Sequence, residues 1–206
     1  MLFKKVIYTM PSEKRNLIFG ARKAALIAVF AALTIALNLS PVKFPAPYAP
    51  FLIYQIWEIP ITAVFFFFGF LAGVFVALIN TLVLLAVFPG MLPTGPFYNF
   101  VAIVSMLLGM WLGTHLISNL KYRSRLVMIL ILTVLGIIFR VAVMSFVNWA
   151  FLRYPPPIGF SFTEEAIRLL LPLLAVFNAT LSLYTIPLGY VVTEAIKRRA
   201  KIVLRF

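Results

Sequence analysis

Six apolar runs of membrane-spanning length follow one another in this chain, separated only by short segments rich in proline, glycine, lysine or arginine. A run of about 20 apolar residues crosses the hydrocarbon core only as a helix, because lipid offers nothing to unpaired backbone groups. The runs lie at about 17–39, 52–68, 74–88, 97–116, 126–152 and 163–194. The composition agrees, with 64% apolar and 11% charged residues, whereas soluble domains are near half and a quarter. The expected fold is an all-α integral membrane protein of six transmembrane helices, forming a single transmembrane domain over 1–206 with no separate soluble domain.

The punctuation has mechanisms. Ser40 to Pro50 (SPVKFPAPYAP) holds four prolines, each lacking an amide donor and restricting the residue before it, which predicts an ordered extended loop. The Gly69 to Gly73 stretch (GFLAG) predicts a short uncharged turn, and Tyr154 to Pro157 (YPPP) stops the fifth helix. Ser161 with Glu164 fits a capping box at the start of the sixth. Pro172 and Pro187 fall inside that run, where each removes a hydrogen bond and predicts a bend or a break. The first run is too long for a secretory signal and is read as a retained helix.

The net charge of +13 matters less than its placement. Lys4, Lys5, Lys14, Arg15, Arg22 and Lys23 flank the first run, Lys121, Arg123 and Arg125 separate the fourth from the fifth, and Lys197, Arg198, Arg199, Lys201 and Arg205 follow the last. Six spans put all three clusters on one side, leaving Lys43 and Arg153 opposite. The positive-inside rule then places both termini in the cytoplasm of a multi-pass protein of the cell membrane. Clusters that serve orientation argue against nucleic acid as a partner.

Enzyme chemistry finds little support. With no cysteine, a single histidine (His115) and five acidic residues, the chain offers no metal cage and no clustered carboxylates. It has neither a phosphate-cradling glycine loop nor a GxSxG elbow. The expectation is a protein without catalytic residues, metal or cofactor.

Charges inside a span cost roughly 2.5–3.5 kcal/mol on insertion scales and mark candidates. Glu58, in YQIWEIP, either accepts hydrogen bonds from a ligand or pairs with a buried arginine, or else it sits near the headgroups. Arg140 lies in the middle of the fifth run, where an internal ion pair is the plain expectation. Arg168 is expected to pair with Glu164 one turn earlier. Asn80, Asn99, Asn148 and Asn178 lie in or at the ends of spans and need partners, either on a neighbouring helix or in a cavity. Together with Tyr48, Tyr54, Trp57 and Tyr98 near one membrane face they suggest an organic-ligand pocket, although an interfacial aromatic belt also collects such residues. In the first helix Ala24, Ala28, Ala32 and Ala36 recur every fourth residue, with Ala21 and Ala25 in a parallel row. Such a ridge lets another helix approach closely, from within the chain or from another subunit.

These residues resemble the substrate-binding S component of energy-coupling factor (ECF) vitamin transporters. The likeness runs along most of the chain: Arg22 and Lys23 before the Ala24, Ala28, Ala32 ridge, a long proline-containing first loop, and PFLxY with EIP (Pro50, Phe51, Leu52, Tyr54, Glu58, Ile59, Pro60). It continues with FGxxAG (Phe68, Gly69, Ala72, Gly73) and GPxxNF (Gly95, Pro96, Asn99, Phe100). Within that family the pattern is most similar to the riboflavin-binding members. It departs from them in the sixth helix, where an asparagine is usually followed three positions later by lysine and Asn178 is here followed by Leu181.

The resemblance implies a six-helix bundle binding its vitamin, riboflavin first, at the exterior end beneath the first loop. Tyr48, Tyr54, Trp57, Glu58, Tyr98, Asn99 and Asn178 are the implied site, with Tyr48 on the lid loop. It also implies a membrane coupling subunit and two cytosolic ATPases as partners, the ridge of Ala24, Ala28 and Ala32 docking on the coupling subunit, and transport by toppling in the membrane. The competing readings are another vitamin such as pantothenate, thiamin or a related heterocycle, an integral membrane enzyme of lipid metabolism, and a solo secondary transporter. The enzyme would need an acidic metal cluster and the solo transporter two inverted halves, and neither is visible.

Overall fold

In the computed structural model, residues 12–87, 92–118 and 124–200 are described. Among them are six helices and one hairpin: α1 Ser12–Leu39, β1 Phe44–Ala46, β2 Ala49–Tyr54, α2 Ile59–Phe68, α3 Phe70–Val87, α4 Gly95–Ser118, α5 Arg125–Phe151 and α6 Glu164–Ala200. Five helices are long and apolar enough to cross a membrane. The all-α membrane bundle expected from the apolar runs is the fold observed.

α2 is the exception. Its ten residues extend about 15 Å, half of a hydrocarbon core of about 30 Å. Pro60 to Phe67 are all buried, as a helix apolar on every side must be, and α1, α3 and α6 enclose it. The core gathers Ile61, Val64, Met106, Leu107, Met110, Leu132 and Ile186 around it.

Several boundaries differ from the sequence expectations. The run at 52–68 is not one helix, because its first residues form β2, paired antiparallel with β1, and a turn precedes Ile59. The extended loop of Ser40 to Pro50 is thus half of a hairpin. Pro45 is tolerated because a two-stranded sheet has only edges. The reversal predicted over Gly69 to Gly73 is made by Gly69 alone at φ 87°, a conformation glycine adopts without penalty, so α3 begins at Phe70 rather than Val74. The capping box at Ser161 is not formed; the Thr163 hydroxyl accepts the Ala166 amide instead, which starts α6 two residues later. α6 also runs unbroken through Pro172 and Pro187, each proline removing one bond from a helix that its neighbours hold in place.

α4 and α5 pack closely at Gly109, where a methyl group would run into the Leu135 carbonyl. Gly109→Val should therefore destabilise the protein by about 1–3 kcal/mol, seen as a lowered melting temperature in detergent. Gly20→Ala, where a methyl meets nothing within 4 Å, should not.

Candidate functional site

The half-length of α2 places its N-terminus inside the bundle rather than at a membrane surface. Glu58 stands at that terminus without a side-chain capping hydrogen bond, where the helix dipole favours a carboxylate. It is buried, and Arg140 from α5 grips it with both terminal nitrogens, at 2.5 and 2.9 Å. The side chains of this pair are 4% and 2% exposed. Arg140 Nε donates to Asn178 Oδ1 of α6 at 2.9 Å, and its Nη1 also faces the Met106 sulfur of α4 at 3.7 Å. Asn178 in turn donates to the Leu174 carbonyl. One guanidinium thus ties four helices together, using the planar fork that suits arginine to bidentate carboxylate binding.

The hairpin closes over this network. Tyr48 and Tyr54 bring their hydroxyls within 2.5 Å, and desolvation, reinforced by that bond, pushes the Tyr48 phenol up to about 12. The Tyr54 ring lies 5.0 Å from Phe177, the residue before Asn178. Tyr184 of α6 donates to the Gln55 carbonyl at 2.5 Å, strapping the end of β2 to α6. Gln55 Oε1 is buried with no hydrogen-bond partner, an acceptor left open beside the hairpin.

Of the sequence-derived set, Glu58 and Asn178 meet through Arg140, and Tyr48, which is exposed, meets Tyr54 on the hairpin. Trp57 is 4% exposed and belongs to the hydrophobic core. Tyr98 leads elsewhere, donating to the Ile158 carbonyl in the α5–α6 connection at 2.7 Å, and Asn99 is exposed on α4. Asn80 accepts from Asn38 at 3.4 Å, joining α3 to α1, while Asn148 is buried in α5. Arg168 forms the expected pair with Glu164 at 3.4 Å on the surface.

Phe177, Tyr184 and Gln55 were absent from that set. Phe177 and Tyr184 are seven residues apart, two helical turns, and flank Asn178 on α6; that spacing was the available signal. Gln55 carries no such signal, because its role depends on the β2 register.

The alanine ridge faces outward. Ala24, Ala28, Ala32 and Ala36 are exposed, as are Ala21 and Ala25, while Phe30, Ala31, Thr34 and Asn38 make up the buried side of α1. Packing within the chain therefore uses the other face of the helix, and Val29 and Leu33 stand exposed beside the ridge.

No family model matches the chain, and no curated protein matches it in sequence. Among solved structures, the S component of a bacterial ECF transporter superposes with a TM-score of 0.70 and 21% identity, over 89% of this chain and 99% of that one. Length, helix order and superposition lead to one structural conclusion: this chain has the fold of an ECF-transporter S component.

Proposed function

We propose that this chain is the high-affinity substrate-binding subunit of an ECF-type vitamin importer, with riboflavin as its ligand, and that it has no enzymatic activity. What supports the reading is the buried Glu58–Arg140–Asn178 network together with the aromatic pair of Tyr54 on the hairpin and Phe177, the residue before Asn178. Aromatic faces and a few fixed polar groups are what a flat heterocycle needs. Nanomolar affinity corresponds to about −12 kcal/mol, within reach of a buried aromatic ligand with several hydrogen bonds. The departure at Leu181, which is 4% exposed, is answered from across the bundle, since Arg140 brings a cation to Asn178.

In this reading the basic end faces the cytoplasm with both termini, the hairpin end faces outward, and the exposed ridge of Ala24, Ala28 and Ala32 docks on a membrane coupling subunit driven by two cytosolic ATPases. The test is to purify the protein in mild detergent, record its visible spectrum and identify any released small molecule by mass spectrometry. A flavin absorption band and released riboflavin are expected. A colourless protein carrying another vitamin, such as pantothenate or thiamin, replaces the ligand and keeps the class. A preparation that is empty and stabilised by no vitamin in a thermal-shift panel removes the reading.

A further inference from the structure

A cavity of about 530 Å³ opens at the basic end of the bundle, away from the polar network. It lies where α2, α4 and α6 end and α3 and α5 begin. Its volume is ample for a small-molecule site. Phe65, Phe66, Phe70, Trp111, Met128 and Leu132 give it apolar walls. Arg125, Lys197 and Glu194 also line it, and the carboxylate of Glu194 is shared by both cations, at 3.7 Å from Arg125 and 3.6 Å from Lys197. The lining thus holds two cations and one carboxylate, and Arg198 and Arg199, the next two residues of α6, are exposed. The Arg125 side chain is 73% exposed, so its long contact with Glu194 is weak and adapts readily to an added anion. The Lys197 ammonium also lies over the ring of Phe67, 5.8 Å from its centroid, a core residue next to the lining residue Phe66.

A small soluble anion would use the cations and leave the walls idle. A neutral apolar molecule would fill the walls and ignore the cations. Only an amphiphile with a negative head uses both, and basic pockets between helix ends on the positive side of a membrane are built for such headgroups. We propose that this cavity binds an anionic phospholipid, with one acyl chain against the aromatic walls and its phosphate between Arg125 and Lys197. The site involves neither the hairpin nor the ridge on α1 and is independent of which vitamin the protein carries.

The protein in dodecyl maltoside is titrated with phosphatidylglycerol or phosphatidylcholine, and bound lipid is counted by native mass spectrometry, with inorganic phosphate as competitor. Phosphatidylglycerol should be retained in preference to phosphatidylcholine. Arg125→Ala should weaken its retention roughly fivefold, and Arg125→Glu should abolish the preference. Thr114→Trp, which fills the cavity and leaves every charge in place, should displace the lipid. Thermal unfolding confirms that each variant is folded, and the two surface changes at Arg125 serve if the tryptophan is not accommodated. Equal retention of both lipids, or phosphatidylglycerol binding unchanged in the folded variants, overturns the proposal. Displacement of the lipid by millimolar phosphate overturns it too, because the cations would then be a site for a free anion.

Discussion

On the proposed transport role, Ala28→Trp should leave vitamin binding unchanged and reduce vitamin uptake by cells to background. Ala28 sits in the middle of an exposed row of small side chains, so an indole there disturbs nothing inside the bundle. It does hold apart any helix backbone that approaches the row. Overpacking a close contact costs about 1–3 kcal/mol, which is about five- to 140-fold in docking, at about tenfold per 1.4 kcal/mol. The control is Leu183→Trp on α6, where the native side chain is 59% exposed and uptake should persist. The measurements are vitamin binding by the purified protein and uptake by cells expressing the whole transporter. Loss of binding in Ala28→Trp would mean that α1 supports the site itself. Normal uptake would place docking on another face.

The second large effect is expected at Arg140. Arg140→Met leaves the Glu58 carboxylate buried with its main partner gone, and breaking such a pair from one side costs about 3–5 kcal/mol. In a protein of this size that lowers the melting temperature by roughly 6–20 °C. Joining Glu58→Leu to Arg140→Met removes both charges and should recover most of the loss, because well-packed apolar replacements of a buried pair are often neutral. Thermal unfolding of the parent, the two single variants and the double variant gives the coupling directly. Single variants as stable as the parent would mean that water reaches the pair and shares its charge.

The apolar runs carried the fold because the period and length of a spanning helix are set by the bilayer, and they remain readable without tertiary contacts. Charge segregation argued for an even number of crossings. What local pattern left out was α2, whose apolar sequence continues upstream into β2. A strand and a helix made of the same residue types differ there only in their partners, Phe44 and Pro45 across the hairpin. The site was half readable for the same reason. Glu58 and Arg140 stood out as charges in lipid, but their pairing spans 82 positions, and only the folded bundle joins them. Tyr98 and Asn99 share the hairpin end by sequence order, yet helix rotation turns Tyr98 to the α5–α6 connection and leaves Asn99 exposed.

The single-residue reversal at Gly69 bears on the membrane around the protein. Phe68 and Phe70 flank it, so this corner has no polar loop to stand in water, and the eighteen residues of α3 give about 27 Å of rise. That is a few ångströms less than a typical hydrocarbon thickness. Lys23 reaches over the Phe68 ring at 5.6 Å, bringing a charged head down to the corner as a snorkelling side chain does. α2 is enclosed by its neighbours, so the mismatch falls on lipids beside α3, at a cost that grows with every ångström. At α3 the chain therefore fits a thinner layer than the 24, 27 and 37 residues of α4, α5 and α6 could span.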